Sequence, residues 1–273
     1  MSSITTFRTD FMGYAIEWNP LLEGKLAVAT AQHFGVVGQG KQLVLDYRHG
    51  MLTKVAEIET KDGVFDCTWS ESVPHHLLFG SGDGSLTLWD VRENKVLRVL
   101  KEHNAEVYGV DWNLVTKESF ISGAWDNTIK LWHPDFAQSI RTFSEHTGCI
   151  YSTIWHPRNP DMFASTSGDC TVKIWDTNDR TSTHTIKAHD YEILTCDWNK
   201  YDPNQIVTGS VDKTIRAFDI RNTSEPVFTL SGHEFAVRRI KCSPHNGRTI
   251  ASSSYDMSLA LWDSQAENSL INK

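Results

Sequence analysis

One spacing recurs through most of the chain and constrains its fold more than any other feature. Aromatic residues that close successive segments stand 43, 43, 43 and 44 residues apart: Trp89, Trp132, Trp175, Phe218 and Trp262. Two further series keep the same steps: Trp69, Trp112, Trp155, Trp198 and Cys242, and Asp83, Asp126, Asp169, Asp212 and Asp256. Three series in register indicate one structural unit repeated along the chain.

The period and the strand pattern together predict a β-propeller. A repeat of about 40 to 45 residues is typical of a four-stranded propeller blade. The third unit contains four short runs rich in β-branched and aromatic residues, EVYGVDW, ESFIS, TIKLW and SIRTF, with turn residues between them. We expect one all-β domain over residues 1–273, with blades near residues 13–57, 64–100, 107–143, 150–187, 193–231 and 236–273.

A spaced set of His, Asp and an aromatic residue resembles the WD-repeat family. The four sets are His103, Asp126 and Trp132; His146, Asp169 and Trp175; His189, Asp212 and Phe218; and His233, Asp256 and Trp262. The resemblance implies that a Ser or Thr links His to Trp, here Ser122, Ser165, Thr208 and Ser252. Such a network pairs the polar groups that a blade buries, so we expect a structural role.

The second unit departs from this pattern at both ends of the network. Thr60 stands where the His belongs, and Phe79 stands where the Ser or Thr belongs. We therefore expect that blade to be held by packing.

Composition excludes several classes of protein and site. The chain has 26 basic and 34 acidic residues, a net charge of −8, which disfavours nucleic-acid binding through a basic face. We find no apolar run long enough for a spanning helix and no secretory signal at the start. The five cysteines include no CxxC pair, so we predict neither disulfides nor a metal site, and no cofactor.

Two apparent catalytic patterns have simpler explanations. Ser165, His146 and Asp169 are the residue types of a hydrolase triad, but the same set recurs in four units, which favours the structural network. The segment from Gly35 to Lys41 follows P-loop spacing, but Gln42 stands where Ser or Thr would meet magnesium. We predict a long loop there and no catalytic residue anywhere in the chain.

One end of the blades is the predicted binding face. In a propeller, the loop before strand one and the turn between strands two and three open on the same side. The candidate ligand contacts on that side are Asp62, Asp66, Glu106, Tyr108, Trp125, Tyr151, Glu192, Arg238 and Tyr255. This mixture of acids, aromatic rings and a basic residue suits a short amphipathic peptide with basic ends.

Several blocks resemble one particular family, the receptors for the type-2 peroxisomal targeting signal. They include GYAIEWNP (13–20), LAVATAQHFG (26–35), SGDGSLTLWD (81–90), EILTCDWNKY (192–201) and AVRRIKCSP (236–244), and the similarity covers nearly the whole chain. The resemblance implies a non-enzymatic receptor that binds the N-terminal signal of matrix proteins in the cytosol. A co-receptor and the peroxisomal docking machinery then bring the complex to the peroxisome. By the same resemblance, Glu106 and the pair Asp62 and Asp66 are expected to bind the basic residues of the signal.

Other functions remain open at this point. The chief alternative is a generic WD-repeat scaffold that binds another protein through the same face. An enzyme would need a catalytic constellation that we do not find. Arg238 and Arg239 form a local basic spot, but the acidic balance of the chain disfavours nucleic acid.

The number of units differs from the family pattern. Six units are visible, whereas the resemblance implies seven blades, and residues 4–9 are predicted to be an outer strand that closes the last blade. The missing inner strands would take about 35 to 40 residues at this period. We expect a truncated seven-blade protein; a closed six-blade ring and an open structure with two exposed edges are the alternatives.

Overall fold

The computed structural model describes residues 5–266 and 269–273. The regular elements are 24 strands and one short 3-10 turn, His33–Gly35. The strands form six four-stranded antiparallel sheets, each made from four consecutive strands and numbered here as blades one to six. No helix in the described part of the chain is long and apolar enough to cross a membrane.

The first three blades occupy the N-terminal half of the chain. Blade one comprises β1 (Met12–Trp18), β2 (Lys25–Ala31), β3 (Gly40–Arg48) and β4 (Met51–Thr60). Blade two comprises β5 (Val64–Trp69), β6 (His76–Ser81), β7 (Ser85–Asp90) and β8 (Lys95–Lys101). Blade three comprises β9 (Val107–Trp112), β10 (Phe120–Ala124), β11 (Ile129–Trp132) and β12 (Arg141–Phe143).

The last three blades follow the same order. Blade four comprises β13 (Ile150–Trp155), β14 (Met162–Ser167), β15 (Val172–Asp176) and β16 (Ser182–Ile186). Blade five comprises β17 (Ile193–Trp198), β18 (Gln205–Ser210), β19 (Thr214–Asp219) and β20 (Phe228–Ser231). Blade six comprises β21 (Val237–Cys242), β22 (Thr249–Ser254), β23 (Leu259–Asp263) and β24 (Leu270–Asn272).

The chain packs as two compact units, unit 1 over Met1–Thr142 and unit 2 over Phe143–Lys273. The predicted all-β class, built from repeated four-stranded units, is confirmed by the six sheets of the described residues. The assignment of all blades to one domain stays a prediction.

The N-terminal segment differs from expectation. A strand was expected over residues 4–9, but the described residues 5–9 belong to no strand, and Ile4 lies outside the described residues. The physical reason is that this segment docks by a side chain and not by backbone pairing. Phe7 packs against four buried side chains of blade one: Leu26, Val28, Leu43 and Leu45.

The core of each unit lies in the seams between consecutive blades. Between blades one and two, one cluster joins Ala27, Ala29 and Val44 to Val64, Cys67 and Trp69. Between blades five and six, another joins Val207, Ile215 and Ala217 to Val237, Ile240 and Cys242. Side chains alternate along each strand, so one face of a sheet meets the previous blade and the other meets the next. Burying each large apolar side chain contributes about 2 to 3 kcal/mol.

Candidate functional site

A four-membered hydrogen-bond network lies inside blade three, as predicted. Trp132 Nε1 donates to Ser122 Oγ over 2.8 Å, and His103 Nε2 lies 2.8 Å from the same oxygen. His103 Nδ1 lies 2.9 Å from a carboxylate oxygen of Asp126. Because the carboxylate only accepts, Nδ1–H donates to it, and the Ser122 hydroxyl donates to Nε2. Each of these four linked side chains therefore has a hydrogen-bond partner within the network.

The same network recurs in both units with one variation. Blade four repeats it with Trp175, Ser165, His146 and Asp169, and blade six with Trp262, Ser252, His233 and Asp256. In blade five Phe218 replaces the Trp, and the Thr208 hydroxyl lies 2.8 Å from His189 Nε2 and 3.0 Å from the Arg216 carbonyl oxygen. The Thr208 hydroxyl donates to this carbonyl, whereas the Ser hydroxyls of the other three networks accept the indole proton, so the direction of this hydrogen bond is reversed in blade five. His189 Nδ1 keeps the contact with Asp212, at 2.7 Å.

Blade two is held by packing, as predicted. Phe79, in the position of the Ser or Thr, is fully buried. Trp89 is also fully buried, and its Nε1 has no hydrogen-bond partner in the part of the chain that the structure describes. Both side chains belong to the apolar cluster between blades one and two.

The network carboxylates are held ionised. Burial alone raises the pKa of Asp212, but hydrogen bonds from His189 and Thr214 outweigh it and lower the pKa to about 2. The same opposing effects hold the pKa of Asp126, Asp169 and Asp256 well below the usual range. In the folded protein these carboxylates therefore keep their negative charge in moderately acidic solution.

Acid is expected to remove the stability that these carboxylates provide. Above the pKa of these carboxylates in the unfolded chain, near 3.8, their stabilisation of the fold is fully present. Below that pH the carboxylates bind protons in the unfolded chain but stay ionised in the folded chain, so unfolding is favoured. Each carboxylate then lowers the free energy of unfolding by about 1.4 kcal/mol per pH unit until the folded pKa is reached. Denaturant unfolding between pH 5 and about 2 measures this slope. Asp212→Asn removes one titrating carboxylate, so the free energy of unfolding is expected to change less steeply with pH, by the contribution of one proton. An unchanged slope would contradict this account.

The structure places the two predicted face-forming segments at the same end of each of blades two to six. Trp125 N donates to Glu106 O over 2.9 Å, and Val211 N donates to Glu192 O over 3.0 Å. The equivalent bonds in blades two, four and six join Gly82 to Gly63, Gly168 to Cys149 and Tyr255 to Ala236. The turn between strands two and three therefore rests directly on the start of strand one, as predicted.

In unit 1 the face carries a column of aromatic rings. Phe65 stacks on Tyr108 with ring centroids 4.3 Å apart, and Tyr108 stacks on Trp125 at 4.7 Å. Tyr14 meets Phe65 edge-on at 5.1 Å. Stacked rings hold one another rigidly. Phe65 and Tyr108 are buried, and Trp125 is half-buried, so Trp125 is the most accessible of the three rings. The sequence-predicted residues Tyr108 and Trp125 are thus brought together, and Phe65 lies buried beneath them.

The three predicted acidic residues of unit 1 lie in different environments. Asp66 is buried, and its carboxylate accepts a hydrogen bond from Val110 N over 3.1 Å, so it joins blade two to blade three. Asp62 is half-buried; its Oδ1 accepts a bond from Gly63 N over 2.8 Å and packs closely on Gly82. Glu106 is half-buried, and among the described residues none donates a hydrogen bond or an ion pair to its carboxylate. Of these three predicted acidic groups, Glu106 is the most ready to take an external cation.

In unit 2 three predicted residues, Glu192, Arg238 and Tyr255, lie near the phenol of a fourth, Tyr151. Burial raises the pKa of Tyr151 to about 12; the nearby charge of Glu192 and the Tyr255 hydroxyl add to the rise, and Arg238 opposes it. Glu192 and Tyr255 are exposed, while Tyr151 and Arg238 are half-buried. Gly168 borders this group, since a Cβ there would lie 3.6 Å from both Glu192 and Tyr151, an ordinary van der Waals distance.

The loop between β2 and β3 is a part of the face that sequence reasoning missed. Its Gly35, at φ +72°, packs so closely on the aromatic column that a Cβ would lie 2.5 Å from Phe65. Phe34, Val36 and Val37 are exposed at the tip. The sequence did contain a signal for this exposure. The three apolar residues lie in a glycine-rich segment without the alternating pattern of a strand, so no sheet face is predicted to bury them. Lys41, the P-loop-like lysine, instead pairs with Glu59 over 3.1 Å within the sheet.

The residue types of a hydrolase triad serve the fold. Ser165 is fully buried, accepts the Trp175 indole proton and donates to His146, so it is not placed to attack a substrate. Within residues 5–266 and 269–273, no group of three or more His, Cys, Asp or Glu side chains is placed to hold a metal ion.

Comparison with known proteins assigns the repeats to a family. The WD domain, G-beta repeat family matches residues 94–133, 137–176, 180–219 and 224–263. The chain is 59% identical to the peroxisomal targeting signal 2 receptor of Dictyostelium discoideum over 264 residues, covering 96% of this chain and 84% of that receptor. It is 48% identical to the receptor of the same name from Homo sapiens over 261 residues, covering 95% of this chain and 81% of that protein.

A shorter similarity extends to plants. Over 112 residues the chain is 45% identical to peroxisome biogenesis protein 7 of Arabidopsis thaliana, covering 39% of this chain and 35% of that protein.

Proposed function

Because this chain belongs to the WD-repeat family of peroxisomal targeting signal 2 receptors, we propose that it binds the N-terminal type-2 signal of peroxisomal matrix proteins. The observation that carries the proposal is in unit 1. There a half-buried carboxylate without a partner among the described residues, that of Glu106, stands at the head of the strand that bears Tyr108. The proposed ligand is an amphipathic helix with Arg or Lys near its start and His or Gln near its end.

Unit 1 supplies the contacts to the basic start of the signal. Glu106 binds the cation directly, and Asp62 adds a second negative charge on the same face. The rings of Tyr108 and Trp125 receive the apolar side of the helix, because a preformed aromatic surface loses little entropy on binding. Asp66 supports this site by holding the seam between blades two and three.

Unit 2 carries a second patch of matching chemistry. Its hydroxyls of Tyr151 and Tyr255 and the carboxylate of Glu192 are suited to hydrogen-bond an imidazole or an amide. Arg238, near Tyr151, adds a positive charge to this patch.

The remaining features of the role follow from the family. A co-receptor binds over the seated signal, and the docking machinery of the peroxisomal membrane receives the complex indirectly through it. The protein acts in the cytosol and at the peroxisome, and it catalyses no reaction. The competing role, a scaffold for another complex, would use the same face without selectivity for the signal.

Import in cells tests the proposal. Cells that lack their own type-2 receptor are supplied with the chain and with a fluorescent reporter that carries a type-2 signal. We expect the reporter to move from the cytosol into peroxisomes. A second reporter with the C-terminal signal Ser-Lys-Leu is the control, since a separate receptor reads it. A type-2 reporter that stays cytosolic while the control is imported contradicts the proposal.

The exposed tip of the β2–β3 loop gives a further prediction. Phe34→Asp is expected to weaken signal binding by about tenfold, because it removes one exposed ring beside the aromatic column and adds a charge. Titration of a labelled signal peptide measures the change. Val227→Asp, at another exposed apolar residue, just before β20 of blade five, is the control and is expected to bind normally. Equal binding by Phe34→Asp and the unmodified chain would exclude the loop from the site.

A further inference from the structure

The residue that follows strand one ties its loop to the next blade. In blade one this residue is Asn19, whose Oδ1 accepts hydrogen bonds from Leu21 N over 2.8 Å and from Leu22 N over 2.7 Å. Its Nδ2 donates to Pro74 O of blade two over 2.9 Å. One acceptor atom therefore closes the loop, and one donor atom fastens it across the seam. We call this arrangement the clasp.

Blade five repeats the clasp with another asparagine. Asn199 Oδ1 accepts hydrogen bonds from Tyr201 N over 2.9 Å and from Asp202 N over 3.2 Å. Its Nδ2 donates to Gly247 O of blade six over 3.0 Å. A side-chain amide offers one acceptor and one donor group and does not titrate in neutral or mildly acidic solution. The two asparagine clasps are therefore insensitive to pH in that range.

Blade four builds the same clasp from a histidine. His156 follows Trp155, the last residue of β13, and is buried. Its Nδ1 lies 3.1 Å from Arg158 N and 2.8 Å from Asn159 N, and its Nε2 lies 2.9 Å from Pro203 O of blade five. Because backbone amides only donate and a carbonyl oxygen only accepts, the ring is neutral and carries its single proton on Nε2.

A second proton on this ring is incompatible with the clasp. It would sit on Nδ1 and face the amide protons of Arg158 and Asn159, so both hydrogen bonds that close the loop would be lost. The ring also packs edge-on against the buried Trp198, with ring centroids 4.8 Å apart, and this contact leaves it little freedom to turn in place. The ring must therefore leave its site to become charged.

The charged groups around the ring act in the same direction. Burial lowers the pKa of His156 below its ordinary value near 6.5; the Pro203 carbonyl opposes this effect, and the cations Arg158 and Lys200 add to it. Three carboxylates on the adjoining segments are engaged by other groups: Asp161 by Thr177, Asp197 by Lys200 and Asp202 by the Asn204 amide. The site thus favours the neutral ring.

We propose that the His156 clasp is an acid-sensitive switch: the neutral ring fastens the loop after β13 to blade five, and protonation of the ring releases that loop. The core of the same seam is apolar and includes Ile154 and Ile174 of blade four with Ile193 and Ile206 of blade five, so the release is confined to the loop. His156 follows the end of β13 that lies away from the candidate binding face, so the switch is independent of the proposed function.

Amide hydrogen exchange tests the switch because it reports the opening of single hydrogen bonds. In the unmodified chain, protection of the Arg158 and Asn159 amides is expected to fall by about tenfold for each pH unit below 6.5, after correction for the intrinsic pH dependence of exchange. In His156→Asn, the new side chain can make the contacts that Asn19 and Asn199 make, so protection is expected to stay constant between about pH 7 and pH 5.

Two controls accompany the measurement. His184→Asn removes an exposed histidine from β16 of the same blade and is expected to keep the pH dependence of the unmodified chain. The Leu21 and Leu22 amides, which the Asn19 clasp holds, are expected to keep constant protection in every variant.

Two outcomes would overturn the proposal. One is constant protection of Arg158 and Asn159 in the unmodified chain from about pH 7 to pH 5. The other is an equal loss of protection in the unmodified chain and in His156→Asn, which would place the acid-sensitive group elsewhere. If His156→Asn does not fold, nitrogen NMR of the ring in the unmodified chain decides. The ring is expected to carry its proton on Nε2 alone while the two amides are protected, and a doubly protonated ring with both amides still protected would contradict the proposal.

Discussion

Glu106→Lys is expected to abolish binding of the type-2 signal and to leave the stability of the protein unchanged. The carboxylate is half-buried and receives neither an ion pair nor a hydrogen bond from the described residues, so the fold does not depend on it. Its backbone carbonyl, which accepts the Trp125 amide proton, is untouched by the substitution. Reversal of the charge replaces attraction by repulsion at a desolvated site, at a cost of about 2 to 5 kcal/mol in binding free energy. That corresponds to a loss of roughly 30-fold or more in affinity.

A matched variant separates the site from the overall charge of the protein. Glu118 belongs to the same blade and follows β9, whereas Glu106 precedes it, so the two lie at opposite ends of the strand. Glu118→Lys makes the same change in net charge and is expected to bind the signal as the unmodified chain does. Unchanged binding by Glu106→Lys, or equal loss in both variants, would remove Glu106 from the site.

His146→Ala is expected to lower the stability of the protein more than any surface substitution. The imidazole is buried and joins Asp169, at 2.7 Å, to Ser165, at 2.7 Å. Its removal leaves a buried carboxylate and a buried hydroxyl each short of one partner and opens a cavity. We expect a loss of about 3 kcal/mol in the free energy of unfolding, seen as a melting temperature lower by about 10 °C.

His184 provides the control within the same blade. It lies exposed on β16, and its ring contacts only Thr183 among the interactions that the structure gives it. His184→Ala is expected to melt within about 1 °C of the unmodified chain. Signal binding by His146→Ala, measured well below its melting temperature, is expected to survive. A melting temperature that does not change would mean that the network is dispensable.

The repeat made most of the fold predictable. A His, an Asp and an aromatic residue at fixed spacing specify a closed network, because each supplies a donor or acceptor that the others lack. The same logic explains blade two, where Thr60 and Phe79 remove both ends of the network together and Trp89 is packed instead. Strand ends follow from alternation and turn residues, which recur in every unit.

The details of the binding face were less predictable because they depend on contacts outside the repeat. Asp66 lies in strand β5 at a position that the sequence assigns to the candidate face. Its carboxylate instead accepts a hydrogen bond from the backbone N–H of Val110 in the next blade. The β2–β3 loop is longer than the corresponding turns of the other blades, so the period gives no information about where Phe34 lies. The burial of Phe65 beneath Tyr108 depends on stacking geometry, which the spacing of residues does not determine.

Direct binding of a signal peptide tests the central claim most closely. A fluorescently labelled nonapeptide signal is titrated with the purified chain, beside a peptide of equal length in which the Arg and the His are replaced by uncharged residues. Anisotropy is expected to rise to saturation for the signal and to stay near its starting value for the altered peptide. Equal affinity for the two peptides, or no binding of either by a folded chain, would contradict the account.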